Sequence, residues 1–280
     1  MIGYCSSDAY MGDKEKSSET WGWHMMGQRI VIATIKDLIK NRGLNNKSKI
    51  LVSGGSAGAR GTMVLIDLLK DEYLPKESKV FAFLDSPFYI DIAPFDKNFK
   101  GFQYQEQQKI KFYNPERVIS KECKETYENE TWKCLYGQYR IPFVKTPYLM
   151  VASQYDAYQL INNMGAIPPY SSQEEYEYAN EFGQITQNLL EKLANQKKEG
   201  FSYYSWVCFN HDISESLDFV ITSVESGITQ KDALNIYLKS FNFFQESERI
   251  KENNEVYSWI DECEGVFCRE CSSVSNLFRK

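Results

Sequence analysis

The chain has 280 residues, 42% of them hydrophobic, which is enough for one sizeable core and too apolar for a disordered segment. A formal net charge of −6, with both signs mixed along the chain, argues against nucleic acid or an anionic membrane surface as the main partner. No apolar run approaches the roughly 18 residues that a membrane-spanning helix needs.

The first 23 residues are polar and rich in Ser and Gly, and include the run Tyr4-Cys-Ser-Ser-Asp8 followed by Gly12. Trp21 to Trp23 lead into a helical pattern over 26–39, with Ile30, Ile32, Ala33, Ile35, Leu38 and Ile39 as its apolar positions. Asn41 and Gly43 supply its stop. A short apolar strand over 50–52 runs into Gly54, Gly55, Ser56, Ala57 and Gly58, and a second helix follows over 59–73. Residues 79–85 read as a strand ending in Asp85. Residues 90–146 read as irregular and partly helical, a candidate lid or insertion. Further strands are expected over 146–153 and 201–209, and further helices over 173–199 and 230–245, ahead of a tail with three clustered Cys. Strands alternating with helices imply a mostly parallel central sheet with helices on both faces. No repeat or composition break divides the chain, so 1–280 reads as one domain. The high aromatic content, 15% with 19 Tyr, leaves open an ordinary core and surface or an aromatic-lined pocket or carbohydrate platform.

Strand, Gly-x-Ser-x-Gly and helix in that order is the signature of a nucleophile elbow, and so of an α/β-hydrolase. The Ser sits on a sharp turn whose flanking positions must be small. Its hydroxyl is lifted clear of the sheet, and the N–H of the next residue, Ala57, points at a developing oxyanion. The competing reading is a Gly-rich turn with an inert Ser that binds a phosphate at the helix start. If Ser56 is a nucleophile it needs a base. The chain holds two His, and in this fold the order is Ser, acid, His. His24 precedes Ser56 and reads as structural, which leaves His211, just after a strand. Asp156, in the loop after the strand at 146–153, is favoured as the acid over Asp85, and its neighbours Tyr155, Tyr158 and Gln159 could close a pocket. Asp156 would orient His211 and stabilise its imidazolium.

The seven Cys fit no zinc template, since Cys263, Cys268 and Cys271 have no nearby His and no second pair. Disulfides are the better reading, with Cys123 and Cys134 the most plausible local pair; the tail Cys could pair locally or upstream. Disulfides imply a secreted or luminal location. Two glycosylation sequons, at Asn46 and Asn129, agree with that. No signal peptide precedes Gly3-Tyr4-Cys5. With the odd Cys count, that leads us to expect a longer gene product.

These features together resemble the pectin acetylesterase/Notum family of carboxylesterases. The resemblance is carried by Tyr4-Cys-Ser-Ser-Asp8 with Gly12, by Ser53-Gly-Gly-Ser-Ala-Gly58, by Leu84-Asp-Ser86 and by Tyr155-Asp156 with Gln159. Cys208 three residues before His211 and the Cys-rich tail complete it. It runs in order over nearly the whole chain. It implies an α/β-hydrolase fold, Ser56 as nucleophile, Asp156 as acid, His211 as base, and no metal or organic cofactor. The substrates it implies are O-linked acyl groups, acetyl on pectin-like polysaccharide or fatty acyl on a secreted protein. The family also carries a first strand and a Gly-Gly-Gly-Trp-Cys-like oxyanion loop ahead of the Tyr-Cys segment. This chain has no such loop, and Gly22-Trp23 lies on the wrong side of that segment. The expectation is therefore either an incomplete copy of a longer esterase or a catalytically impaired hydrolase-fold protein serving as a binding or structural subunit.

Overall fold

The computed structural model describes residues 1–243, 256–263 and 265–266. They fall into two compact units, one of Met1–Asp91 with Phe102–Pro147, the other of Ile92–Gly101 with the described residues from Tyr148 on. No helix among the described residues is long and apolar enough to cross a membrane.

The first unit contains α1 (Gly27–Asn41), β1 (Lys49–Gly55), α2 (Ala57–Leu68), β2 (Lys79–Asp85), α3 (Gly101–Tyr113, from Phe102 on), α4 (Lys121–Thr126) and α5 (Gly137–Arg140). β1 and β2 are parallel, in register from Lys49 opposite Lys79 to Gly55 opposite Asp85. Every residue of β2 after Lys79 is buried, which is why its sequence is a continuous apolar run without alternation. α1 buries Val31, Ile32 and Ile35, one face of a helix. The helix expected over 59–73 starts two residues earlier and opens into a single π turn over Leu69–Tyr73. Within 90–146, α4 is tied to the following 3-10 turn by a disulfide between Cys123 and Cys134, Cα atoms 5.9 Å apart.

The Tyr4–Gly12 segment is built around the fully buried carboxylate of Asp8. It accepts from the Ser6 hydroxyl at 2.5 Å, the Tyr10 N–H at 2.9 Å and the Gly27 N–H at the start of α1 at 2.7 Å. A carboxylate there meets the unsatisfied donors and positive end of the helix. Ser7, Ala9 and Tyr10 all have positive φ, at 53°, 50° and 58°, so the loop is strained and Asp8 holds it. The loop rests on α2: a Cβ added to Gly61 would lie 2.5 Å from the Ala9 carbonyl oxygen.

Three charged side chains meet between α2 and α3, with Arg60 and Glu106 buried and Lys109 partly so. The Arg60 guanidinium pairs with the Glu106 carboxylate, which also accepts from Lys109. Burial works against the Arg60 charge, and the adjacent Glu106 more than offsets it, so the guanidinium stays above its ordinary value. Burial pushes the Lys109 ammonium down to about 8; the Arg60 charge adds to the effect and Glu106 opposes it.

The second unit contains β3 (Tyr148–Ser153), α6 (Ala157–Met164), α7 (Gln173–Ala194), β4 (Phe201–Trp206), α8 (Asp218–Ile221), α9 (Gln230–Ser240) and β5 (Ser258–Ile260). β3 and β4 are parallel from Tyr148 opposite Phe201 to Ser153 opposite Trp206, and β5 adds to β4 in parallel. Both longer strands are buried throughout. α7 and α9 begin with capping boxes, Ser172 with Glu175 and Thr229 with Asp232, and these reciprocal bonds set where each helix starts. α6 and β5 were not expected from the sequence.

The β1–α2 turn makes unequal demands on its two glycines. A Cβ on Gly54 would lie 2.3 Å from the Gly58 carbonyl carbon, whereas one on Gly58 would meet nothing within 4 Å. Gly54→Ala should therefore destabilise the chain by about 1–3 kcal/mol through overpacking. Gly58→Ala should leave stability unchanged or raise it by up to about 1 kcal/mol, the ordinary helix preference for Ala. Denaturant unfolding of the two variants measures both, and equal losses would contradict the asymmetry.

A pH effect follows from Lys109. The unfolded chain keeps this proton up to its ordinary value of 10.5, and the folded chain releases it near 8. Between those values the unfolded state binds more protons, so stability rises with pH. Wild type should gain stability over Lys109→Met between pH 8 and pH 10, read from their unfolding midpoints at each pH. A constant difference would contradict it.

Candidate active site

Ser56 stands between the last residue of β1 and the first of α2, with φ 48° and ψ −112°, a conformation that non-glycine residues rarely take. The turn is held from both sides. The Ser56 N–H donates to the Asp85 carbonyl at the end of β2, at 2.8 Å, and the Ser56 carbonyl accepts the Arg60 N–H at 2.9 Å, the first turn of α2. Ala57 is the first residue of α2, so its N–H has no acceptor one turn back. The positive end of α2 therefore starts directly after Ser56. Asp85 is fully buried and accepts from the Ser86 hydroxyl at 3.0 Å, while its backbone carbonyl anchors the Ser56 turn.

In the second unit, Asp156 follows β3 and His211 follows β4. Their side chains meet: Asp156 Oδ2 lies 2.7 Å from His211 Nδ1. Asp156 is also the N-cap of α6, its Oδ1 accepting the Gln159 N–H at 2.9 Å. One carboxylate therefore caps a helix and orients an imidazole, with one oxygen assigned to each task. Bonded to a carboxylate at Nδ1, a neutral imidazole carries its proton there, which makes Nε2 its acceptor nitrogen. The Asp156 and His211 side chains are 5% and 15% exposed, so this pair is largely shielded from solvent screening.

The loops that carry the pair are cross-braced. Ser153 Oγ donates to the Cys208 carbonyl at 2.5 Å and accepts the Tyr155 N–H at 3.0 Å. The Asn210 carbonyl accepts the Ala157 N–H at 3.1 Å, and Trp206 Nε1 donates to Asn210 Oδ1 at 2.7 Å. Cys208 is disulfide-bonded, which fixes the start of the His211 loop. Tyr158, on the exposed side of α6, stacks on the His211 ring with centroids 5.3 Å apart and planes at 29°. Tyr155 is buried, and its hydroxyl accepts the Gly265 N–H at 2.9 Å. Ser153, Trp206 and Asn210 carry no motif, and only the coordinates reveal their bracing role.

The remaining residues singled out from the sequence are accounted for as follows. His24 is half exposed, accepts the Lys16 N–H at 3.3 Å and lies 3.2 Å from Glu15. Cys263 is disulfide-bonded and Cys5 is a free, exposed thiol, while Cys268 and Cys271 lie outside the described residues. Asn46 and Asn129 are both exposed.

The Pectinacetylesterase family model matches residues 1–271. A palmitoleoyl-protein carboxylesterase Notum of Drosophila melanogaster is 26% identical over 234 residues, covering 80% of this chain and 33% of that protein. The mouse protein of the same name is 24% identical over 298 residues, covering 99% of this chain and 55% of its own length. The chain thus spans about half, or less, of these curated relatives. A solved structure of the Wnt deacylase Notum from Drosophila superposes with a TM-score of 0.76 at 23% identity, over 94% of this chain and 70% of that one. The fold is the α/β-hydrolase-like one that the elbow implied. With the family model matching nearly the whole sequence, the chain belongs to the pectinacetylesterase family.

Proposed function

We propose that this chain is a serine carboxylesterase that removes an acyl group from oxygen, with Ser56 as nucleophile, His211 as general base and Asp156 as the acid that orients it. The observation that carries the reading is the 2.7 Å bond between Asp156 and His211, made by a carboxylate whose other oxygen is already held. The strained Ser56 turn and the family membership support it.

In this reading His211 Nε2 takes the Ser56 hydroxyl proton as Ser56 Oγ attacks the ester carbonyl carbon. The carbonyl oxygen becomes an oxyanion facing the Ala57 N–H. Collapse breaks the bond to the alcohol oxygen, which leaves with the proton from His211, and Ser56 stays acylated. Water then attacks the acyl-enzyme with His211 again accepting the proton, and the acid departs. Every proton passes through His211, so no metal or cofactor is needed to balance the steps.

The substrates proposed are acylated polysaccharide or acylated protein. The relatives are named for removing palmitoleoyl groups from protein, and the family for acetyl groups on pectin. A secreted or luminal location fits the Cys123–Cys134 disulfide and the bonded Cys208 and Cys263. Asn46 and Asn129, both exposed, are the glycosylation sites proposed with it.

Hydrolysis of p-nitrophenyl acetate and of longer p-nitrophenyl esters tests this. Wild type should turn over at least one of them, and Ser56→Ala and His211→Gln should each lower kcat by about a thousandfold or more. The preferred chain length reports which acyl class the enzyme takes. Turnover that survives in Ser56→Ala, or none in a folded wild-type sample, would overturn the assignment.

A further inference from the structure

The buried charges behind the elbow are not used by any of these steps. Arg60 is 6% exposed and Glu106 is 0% exposed, yet their pairing leaves Arg60 Nε and Glu106 Oε2 without a hydrogen-bond partner among the described residues. A buried ion pair is a poor device for stability alone, because apolar side chains of similar volume often do as well or better. A charged side chain one turn after the nucleophile therefore calls for another role.

Its connections supply one. The Arg60 backbone N–H closes the first turn of α2 onto the Ser56 carbonyl at 2.9 Å. Its guanidinium stacks over the Tyr89 ring, 4.6 Å from the centroid, and pairs with Glu106 of α3. Tyr89 lies four residues past Asp85, whose carbonyl receives the Ser56 N–H. Arg60 thus links the helix after the nucleophile, the segment after β2 and α3, all within one unit. Lys109 holds the Glu106 carboxylate from its other neighbour on α3, so the acceptor is itself fixed. A planar guanidinium stacks on the ring and pairs with the carboxylate at once, and a Lys at this site would not make both contacts in the same way.

We propose that Arg60 is a positioning residue for the nucleophile, clamping the strained Ser56 turn through Glu106 and Tyr89. This rests on the esterase reading. The cluster acts through backbone placement, and displacing a reacting group by about 1 Å costs up to a hundredfold in rate.

The test compares Arg60→Met, Arg60→Lys and the double variant Arg60→Met/Glu106→Leu, by melting temperature and by kcat and KM on a p-nitrophenyl ester that wild type hydrolyses. Arg60→Met should lose about tenfold to a hundredfold in kcat with KM little changed. The double variant removes the stranded carboxylate and should melt above Arg60→Met, though Lys109 then loses its partner, and should not recover kcat. Arg60→Lys keeps the charge and should fold, with kcat between wild type and Arg60→Met. A double variant that melts and turns over like wild type would show a structural role only and overturn the proposal. Should it fail to fold, wild-type kcat in both Arg60→Lys and Arg60→Met would overturn it equally. Absence of any Ser56-dependent turnover in wild type would bring down the esterase reading first, and this inference with it.

Discussion

The structure depends on one backbone conformation, that of Ser56. At φ 48° and ψ −112° it lies where a side chain is tolerated only under constraint, at a cost of roughly 1–3 kcal/mol. The constraint comes from neighbours. The parallel register of β1 and β2 puts Gly55 opposite Asp85, and so brings the Asp85 carbonyl within 2.8 Å of the Ser56 N–H. Gly54 allows β1 to approach the Gly58 backbone closely enough for α2 to start at once. The Tyr4–Gly12 loop, fixed by Asp8, packs on the first turns of that helix. Strand register, glycine placement and the N-terminal loop therefore converge on one residue.

The second unit holds an imidazole against a carboxylate. Asp156 and His211 both follow the carboxyl ends of parallel strands, where loops of α/β sheets collect functional side chains. Loops are mobile by default, and the loops carrying this pair are braced to each other through Ser153, Cys208 and Asn210. Asp156 shows how little such a site requires. A single carboxylate both starts α6 and holds His211, so the helix cap is also the orienting group.

Much of this was legible in the residues, for physical reasons that differ by element. β2 and β3 are continuous apolar runs bounded by polar turns, and α1 carries an apolar face, so each could be located from pattern alone. The elbow was readable because strained turns need small residues at fixed spacing. The pairing of Asp156 with His211 was reachable because the chain has only two His. β5 was missed because three residues carry too little pattern, and α6 because its cap was read as an acid and not also as a helix start. The unequal demands on Gly54 and Gly58 were also invisible, since a spacing motif treats both alike. Arg60 stayed hidden for another reason. A charged residue on a largely apolar helix looks like solvent exposure until α3 is seen to supply Glu106. Long-range partners of that kind leave no trace in local sequence.

The most direct test of the central claim is covalent labelling of the folded chain with a fluorophosphonate, read by intact mass and peptide mapping. The account predicts a single adduct on Ser56, formed slowly or not at all in His211→Gln and in Asp156→Ala. A chain that stays unlabelled, or that labels at Ser56 at the wild-type rate without His211, would contradict it.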